Sequence, residues 1–246
     1  MASVTELERR VAKPAAVGAF GADELAGLPE PVQRHMMNAI EPGAPLAASA
    51  RLRMKGRLRL GTRWLPFRAR EVLAPLHGFV WAARVAGAIT GSDRYLDGDG
   101  ALDWKLFGIA RVMHTEGPDV TRSAAGRGGG EAIWVPTALL PRFGVDWTAE
   151  DAHITARYAV DDVELAVHYH LADDGRIRSV LFDRWGDPDE TGTWGLHPFG
   201  VDVTGYASFG PIAIPAAGVV GWFHGTDRWA EGQFFRYRIT HLELFA

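Results

Sequence analysis

The stretch Arg51-Leu52-Arg53-Met54-Lys55-Gly56-Arg57-Leu58-Arg59-Leu60 alternates cationic and apolar side chains almost without error. Successive side chains of a strand point to opposite faces, so this pattern specifies a β-strand with one wet face and one buried face. Gly61-Thr62 reads as a turn, and Trp64 to Leu73 returns as the partner strand. Further strands are expected over 78–86, 92–98, 101–106, 152–160, 163–171, 176–185, 200–209 and 233–245. Between them stand turn signals such as Asp97-Gly98-Asp99-Gly100 and Asp173-Asp174-Gly175, where a hairpin needs positive φ. The three strands over 153–185 read as a meander.

Residues 1–45 read as helical. Val4, Leu7 and Val11 fall at helical spacing, and a second helix begins after Pro29-Glu30-Pro31 with Val32, His35, Met36 and Ala39 on one face. The region 107–145 interrupts the β pattern. Residues 121–134, which include Gly126 and Gly128-Gly129-Gly130, read as a loop or weak helix, and 137–140 as a short helix. The three glycines lack the spacing of a phosphate-binding motif and are read as flexible backbone. With no internal repeat and no low-complexity linker, 1–246 reads as one domain: a helical segment over 1–45, then a β-sheet over 50–246 with an insertion at about 107–145. The fold class is α+β, mainly antiparallel β.

Composition narrows the chemistry. There is no cysteine, so disulfides and thiolate chemistry are excluded. A net charge of −4 argues against a dedicated nucleic-acid partner. Met1 to Ala22 has no apolar core of a secretory signal, and no window approaches the 18 apolar residues of a membrane span, so a cytoplasmic location is expected. The cationic face of Arg51 to Arg59 fits either an anion- or membrane-surface patch or a solvated outer face that protects the sheet from edge pairing. Overall acidity favours the second.

Candidate chemical groups are few. His168 and His170 share a strand face with Glu164, a spacing able to chelate, but no further ligands are evident and no metal is expected. No Gly-x-Ser-x-Gly elbow exists, which disfavours serine hydrolysis. Asp103-Trp104, Asp146-Trp147 and Asp183-Arg184-Trp185 place a carboxylate beside a large apolar ring, where desolvation could raise its pKa; the plainer reading is an aspartate in a turn beside a packed tryptophan. Asp93-Arg94 and Asp183-Arg184 are alternatively buried ion pairs that organise a pocket. The nine Trp, twelve Phe and five Tyr stand out. Trp81, Trp104, Trp134, Leu139, Trp185 and Trp222 are the expected lining of an apolar cavity, with a large core as the alternative.

Several segments together resemble a known family: Leu28-Pro29-Glu30-Pro31-Val32-Gln33-Arg34, Trp64-Leu65-Pro66-Phe67-Arg68-Ala69, Phe79-x-Trp81, Asp93-Arg94-Tyr95 and, most distinctive, Trp134-x-Pro136-Thr137-Ala138-Leu139-Leu140-Pro141. It is a family of uncharacterised bacterial proteins with only a domain-of-unknown-function label, and the resemblance runs from about Leu28 to near the C-terminus. That family is similar in pattern to lipoprotein-carrier-like half-barrels, which implies a curved sheet whose concave face is covered by a helix. Where family members carry a fuller helix before the Trp-x-Pro block, this chain has its glycine-rich stretch, read as a mobile lid or widened entrance. The family offers no catalytic residues to carry over.

Three functions follow as expectations, two of which share one pocket. One is binding of an apolar small molecule or acyl chain in an aromatic-lined pocket. The other is a cofactor-independent cyclase or isomerase acting on a hydrophobic substrate, with Asp93, Arg94, Glu131, Asp183 and Arg184 as candidate catalytic groups. No cofactor is implied by either. A third is an interaction module that meets its partner through an exposed sheet edge.

Overall fold

The computed structural model describes residues 3–12 and 18–245. Thirteen strands form one sheet: β1 (Ala50–Leu60), β2 (Arg63–Ala74), β3 (Gly78–Val85), β4 (Ile89–Leu96), β5 (Asp99–Leu106), β6 (Ala110–Glu116), β7 (Asp146–Glu150), β8 (His153–Val160), β9 (Val163–Leu171), β10 (Ile177–Gly186), β11 (Gly195–Phe209), β12 (Ile212–Trp222) and β13 (Gln233–Leu244). Their spatial order is β6-β5-β4-β3-β2-β1-β13-β12-β11-β10-β9-β8-β7, antiparallel throughout. Two meanders therefore run outward from a seam where β1 pairs β13 from Ala50↔Leu244 to Leu58↔Phe235. The expected antiparallel curved sheet is the observed one. Asp97 and Gly98 take φ of +53° and +74° at the β4–β5 hairpin, as its two-residue turn requires.

The connection between the two edge strands, β6 and β7, covers the concave face. It contains helix α3 (Pro118–Gly130), followed by three single 3₁₀ turns over residues 131–143. Leu139, Leu140 and Trp134 of this run are buried in the main core with Ile154, Val167 and Ile214. The two wings also meet directly: Tyr95 Oη at the end of β4 donates to Asp161 in the β8–β9 turn. Outside the sheet, helix α1 (Val4–Val11) lays Val4, Leu7 and Val11 on Val72, Val80 and Leu96 of the convex face. Helix α2 (Glu30–Ala39) buries Val32, His35, Met36 and Ala39, the face expected from spacing.

Several expectations are corrected. Of the helical segment expected over 1–45, residues 1, 2 and 13–17 lie outside the described residues. The remainder holds α1, α2 and a 3₁₀ turn at Ala22–Leu25, and Ala19 forms a bridge to Pro45. Strands β6, β7 and β12 were not expected: β6 is exposed at every residue and β12 is nearly apolar throughout, so neither shows a period of two. The glycine-rich stretch, expected as a loop or weak helix, is helical and packed on the sheet. It completes a regular helix whose Gly128, Gly129 and Gly130 are all buried. A Cβ on Gly129 would stand 2.0 Å from Leu165 Cδ1, and one on Gly130 would stand 2.3 Å from Phe182 Cζ. Close approach of helix to sheet requires glycine here, and packing outweighs its poor helix propensity. β1 is a central strand, so its cations do not serve to protect a sheet edge.

Candidate ligand cleft and buried charge cluster

β9 and β10 begin as neighbours and then part. Their ladder runs from Ile177↔Leu171 to Leu181↔His168 and stops there. Beyond it, Phe182–Gly186 pair only with β11, and Val163–Val167 pair only with β8. The end of α3 fills the inner side of this gap through Gly129 against Leu165 and Gly130 against Phe182. Tyr158 Oη anchors the helix by donating to the Gly129 carbonyl at 3.0 Å. Nearer the start of α3 the gap stays open as a cleft of about 1220 Å³, larger than the roughly 300–1,000 Å³ of ordinary small-molecule sites. Because it passes between two strands, its walls come from both faces of the sheet. Ala125, Gly126, Leu165 and Phe182 form the inner apolar wall, and Asp162, Glu164 and Asp183 stand at the outer mouth.

Arg184 lies on that inner wall. Its Nε donates to the Ser123 carbonyl at 3.2 Å and its Nη2 to Ser123 Oγ at 3.3 Å. Its guanidinium sits over the Phe199 and Trp222 rings at 4.7 and 5.0 Å, while its stem crosses Gly126. Among the described residues no carboxylate reaches it at ion-pair distance, although Asp183 is its neighbour in sequence. Burial, and secondarily Arg127, pushes its pKa down to about 9. At the far side of the cleft His224 Nε2 meets Asp202 Oδ1 at 2.9 Å, and Trp185 Nε1 donates to Asp119 Oδ1 at 2.8 Å.

Deeper in the interior is a charge cluster. Arg127 projects from α3 between β2 and β4. Its Nη1 donates to Asp93 Oδ2 at 2.7 Å and its Nε to Glu131 Oε1 at 3.0 Å, and its plane lies over Phe79 and Trp81. Trp104 Nε1 donates to the other oxygen of Asp93 at 2.9 Å. Glu71 of β2 is fully buried, 3.9 Å from Arg127 Nη2, with neither oxygen meeting an N–H or O–H donor. Burial first, and then the Glu131 carboxylate, raises its pKa far above the usual carboxylate range. Burial beside the Glu131 carboxylate favours the neutral acid form of Glu71 over the carboxylate. Burial alone would lower the pKa of Arg127, but the Glu131 and Asp93 carboxylates outweigh it and hold the cation charged.

The expected site residues thus separate. Asp93 and Glu131 join the interior cluster. Arg184 and Trp185 line the cleft with Asp183. Arg94 lies on the opposite face from Asp93 and pairs instead with Asp99 at 2.7 Å. Neither Asp93-Arg94 nor Asp183-Arg184 is an ion pair, since adjacent strand residues point to opposite faces. Trp81, Trp104, Trp134 and Leu139 are packed in the core, and Trp222 packs on Phe199 and Gly186. His168 contacts Thr155 Oγ1 at 3.0 Å and His170 stacks on His153. Two members of the cluster were missed. Glu71 was legible, because Phe67, Ala69, Glu71 and Leu73 share one strand face and that face is apolar. Arg127, set among glycines, gave no comparable signal.

A curved antiparallel half-barrel with a helix across its concave face and a cleft through one wing is the class this geometry defines. The chain belongs to the Family of unknown function (DUF6544), whose pattern matches residues 18–234, in line with the expected resemblance to a domain-of-unknown-function family. No curated protein matches it in sequence. Among solved structures it is similar to a LolA superfamily protein from Nitrosomonas europaea, with 8% identity over 87% of this chain and 91% of that one and a TM-score of 0.47. A domain provisionally named for outer membrane lipoprotein sorting, from Vibrio parahaemolyticus, shows 8% identity over 87% and 90% at the same TM-score. A DUF1329 family protein from Desulfovibrio piger shows 10% identity over 87% and 91%, with a TM-score of 0.39.

Proposed function

We propose that the chain binds an amphipathic small molecule, an acyl chain with an anionic head, in the cleft between α3 and the parted strands β9 and β10. The observation that carries this reading is Arg184, a desolvated cation on the cleft wall whose polar partners are a carbonyl and a hydroxyl of Ser123. A carboxylate placed there would supply the charged hydrogen bonds that Arg184 lacks. Leu165, Phe182 and Ala125 offer an apolar surface beside it for the chain. The acidic mouth of Asp162, Glu164 and Asp183 favours a monoanionic head over a more highly charged phosphate. Glu71 is the strongly perturbed carboxyl of the molecule, yet it stands away from the cleft lining. That separation favours binding over a cyclase or isomerase.

Titrating the delipidated chain with hexadecanoate and with hexadecanol, followed by tryptophan fluorescence, tests the reading. The acid is expected to bind about 10–100 times more tightly than the alcohol, the worth of charge-assisted hydrogen bonds, and Arg184→Gln to remove the difference. If neither ligand binds, the reading falls.

A further inference from the structure

We propose that the convex face of the first wing, with the β5–β6 hairpin, docks on an anionic lipid bilayer. Arg111, Lys105, Thr90, Arg84, Arg68, Lys55 and Arg238 face one another in turn across β6, β5, β4, β3, β2, β1 and β13. Direct cross-strand partners share a face, so six cations in seven places form one row about 29 Å long at roughly 4.8 Å per strand. Arg57 and Arg236, opposed to one another, stand beside it. Like charges set directly opposite destabilise a sheet, and here the arrangement recurs across a chain of net charge −4. Asp103 approaches Lys105 and Arg111 at 3.9 and 3.7 Å. No described carboxylate pairs with Lys55, Arg68, Arg84 or Arg238. Helix α1 covers the other end of this face and leaves the row open.

The hairpin at the end of the row identifies the partner. It reads Lys105-Leu106-Phe107-Gly108-Ile109-Ala110-Arg111, an apolar tip held between two cations of the row. Phe107 is 73% and Ile109 87% exposed, and Val112 and Met113 follow on a strand exposed along its whole length. The Phe107 and Ile109 side chains lie two residues, about 7 Å, from the flanking cations. A nucleic acid would satisfy the cations but offers nothing to an exposed isoleucine. A bilayer takes the apolar tip into its interfacial region while its anionic headgroups meet the row.

Flotation of the full chain with phosphatidylcholine vesicles, with and without phosphatidylglycerol, tests this. Binding is expected only to the anionic vesicles and is expected to weaken as salt is raised. Removing two row cations in Arg68→Gln/Arg84→Gln should lower vesicle affinity about 25-fold, near fivefold per cation. Replacing the tip in Phe107→Ser/Ile109→Ser should abolish flotation. All four side chains are exposed, so an unchanged Tm in both variants separates lost docking from lost fold. The proposal is overturned by no flotation with anionic vesicles at low salt, by a serine variant that floats like the unaltered chain, or by duplex DNA binding more tightly than vesicles. The hexadecanoate test is independent of each outcome.

Discussion

Arg127 Nη1 lies 2.7 Å from Asp93 Oδ2, and this contact ties the last turn of α3 to β4 through the interior of the sheet. The helix packs against strands of both wings, so its seat determines where the cleft opens. Arg127 holds it to the first wing, and Gly129 and Gly130 hold it to the second.

Removing the cation should therefore be severe. Arg127→Met leaves Asp93 and Glu131 buried without their partner, at a cost of about 3–5 kcal/mol in urea denaturation. Glu71→Gln keeps a neutral side chain beside Glu131 and should cost about 1 kcal/mol or less. Equal midpoints for Arg127→Met and the unaltered chain would show that the cluster contributes nothing to stability.

Acid should weaken the fold through His35. Burial lowers its pKa to about 4, while its Nδ1 donates to the Gly175 carbonyl at 3.2 Å. The unfolded chain takes up a proton near pH 6.5 and the folded one does not. Stability is thus full above that pH and falls by about 3 kcal/mol as the pH drops to 4. His35→Gln, which keeps a donor but does not titrate, should flatten this part of the stability–pH curve; an unchanged slope would exclude His35 as its source.

Two glycines of α3 should respond with opposite signs. At Gly130 the backbone is helical, with φ −60° and ψ −23°, but a Cβ meets the rigid Phe182 ring at 2.3 Å. Gly130→Ala should cost about 1–3 kcal/mol by overpacking, and Phe182→Leu should restore part of it. At Gly126 the nearest atom to a Cβ is Arg184 Cγ at 3.7 Å, an ordinary contact. Gly126→Ala should stabilise the chain by about 1 kcal/mol through helix propensity. Thermal melts of both variants decide it, and destabilisation by Gly126→Ala would show that the helix sits closer to β10 than these distances allow.

Legibility followed the strength of the local pattern. The alternation from Arg51 to Leu60 and from Val163 to Leu171 marked β1 and β9 closely, because one face of each is wet and the other buried. Strand β12, whose Ile212 to Gly218 run is buried almost throughout, and β6, which is buried nowhere, carry no such contrast. Asp93 and Glu131 were visible as candidates by type, but their company was not: Arg127 reaches them from a helix whose glycines argued locally for a loop.

The sequence by itself determined ten of the thirteen strands, the hairpin turns between them, the two N-terminal helices and the phase of each amphipathic face, since these depend on side-chain spacing along a few neighbouring residues. Only the tertiary structure decided that β1 is central rather than an edge, that β9 and β10 part to open a cleft, and that six cations line up across seven strands. Each of these depends on which distant strands become neighbours and in what register. Those pairings are selected by the packing of the whole sheet and by the close approach of α3, energies that no local stretch of sequence contains.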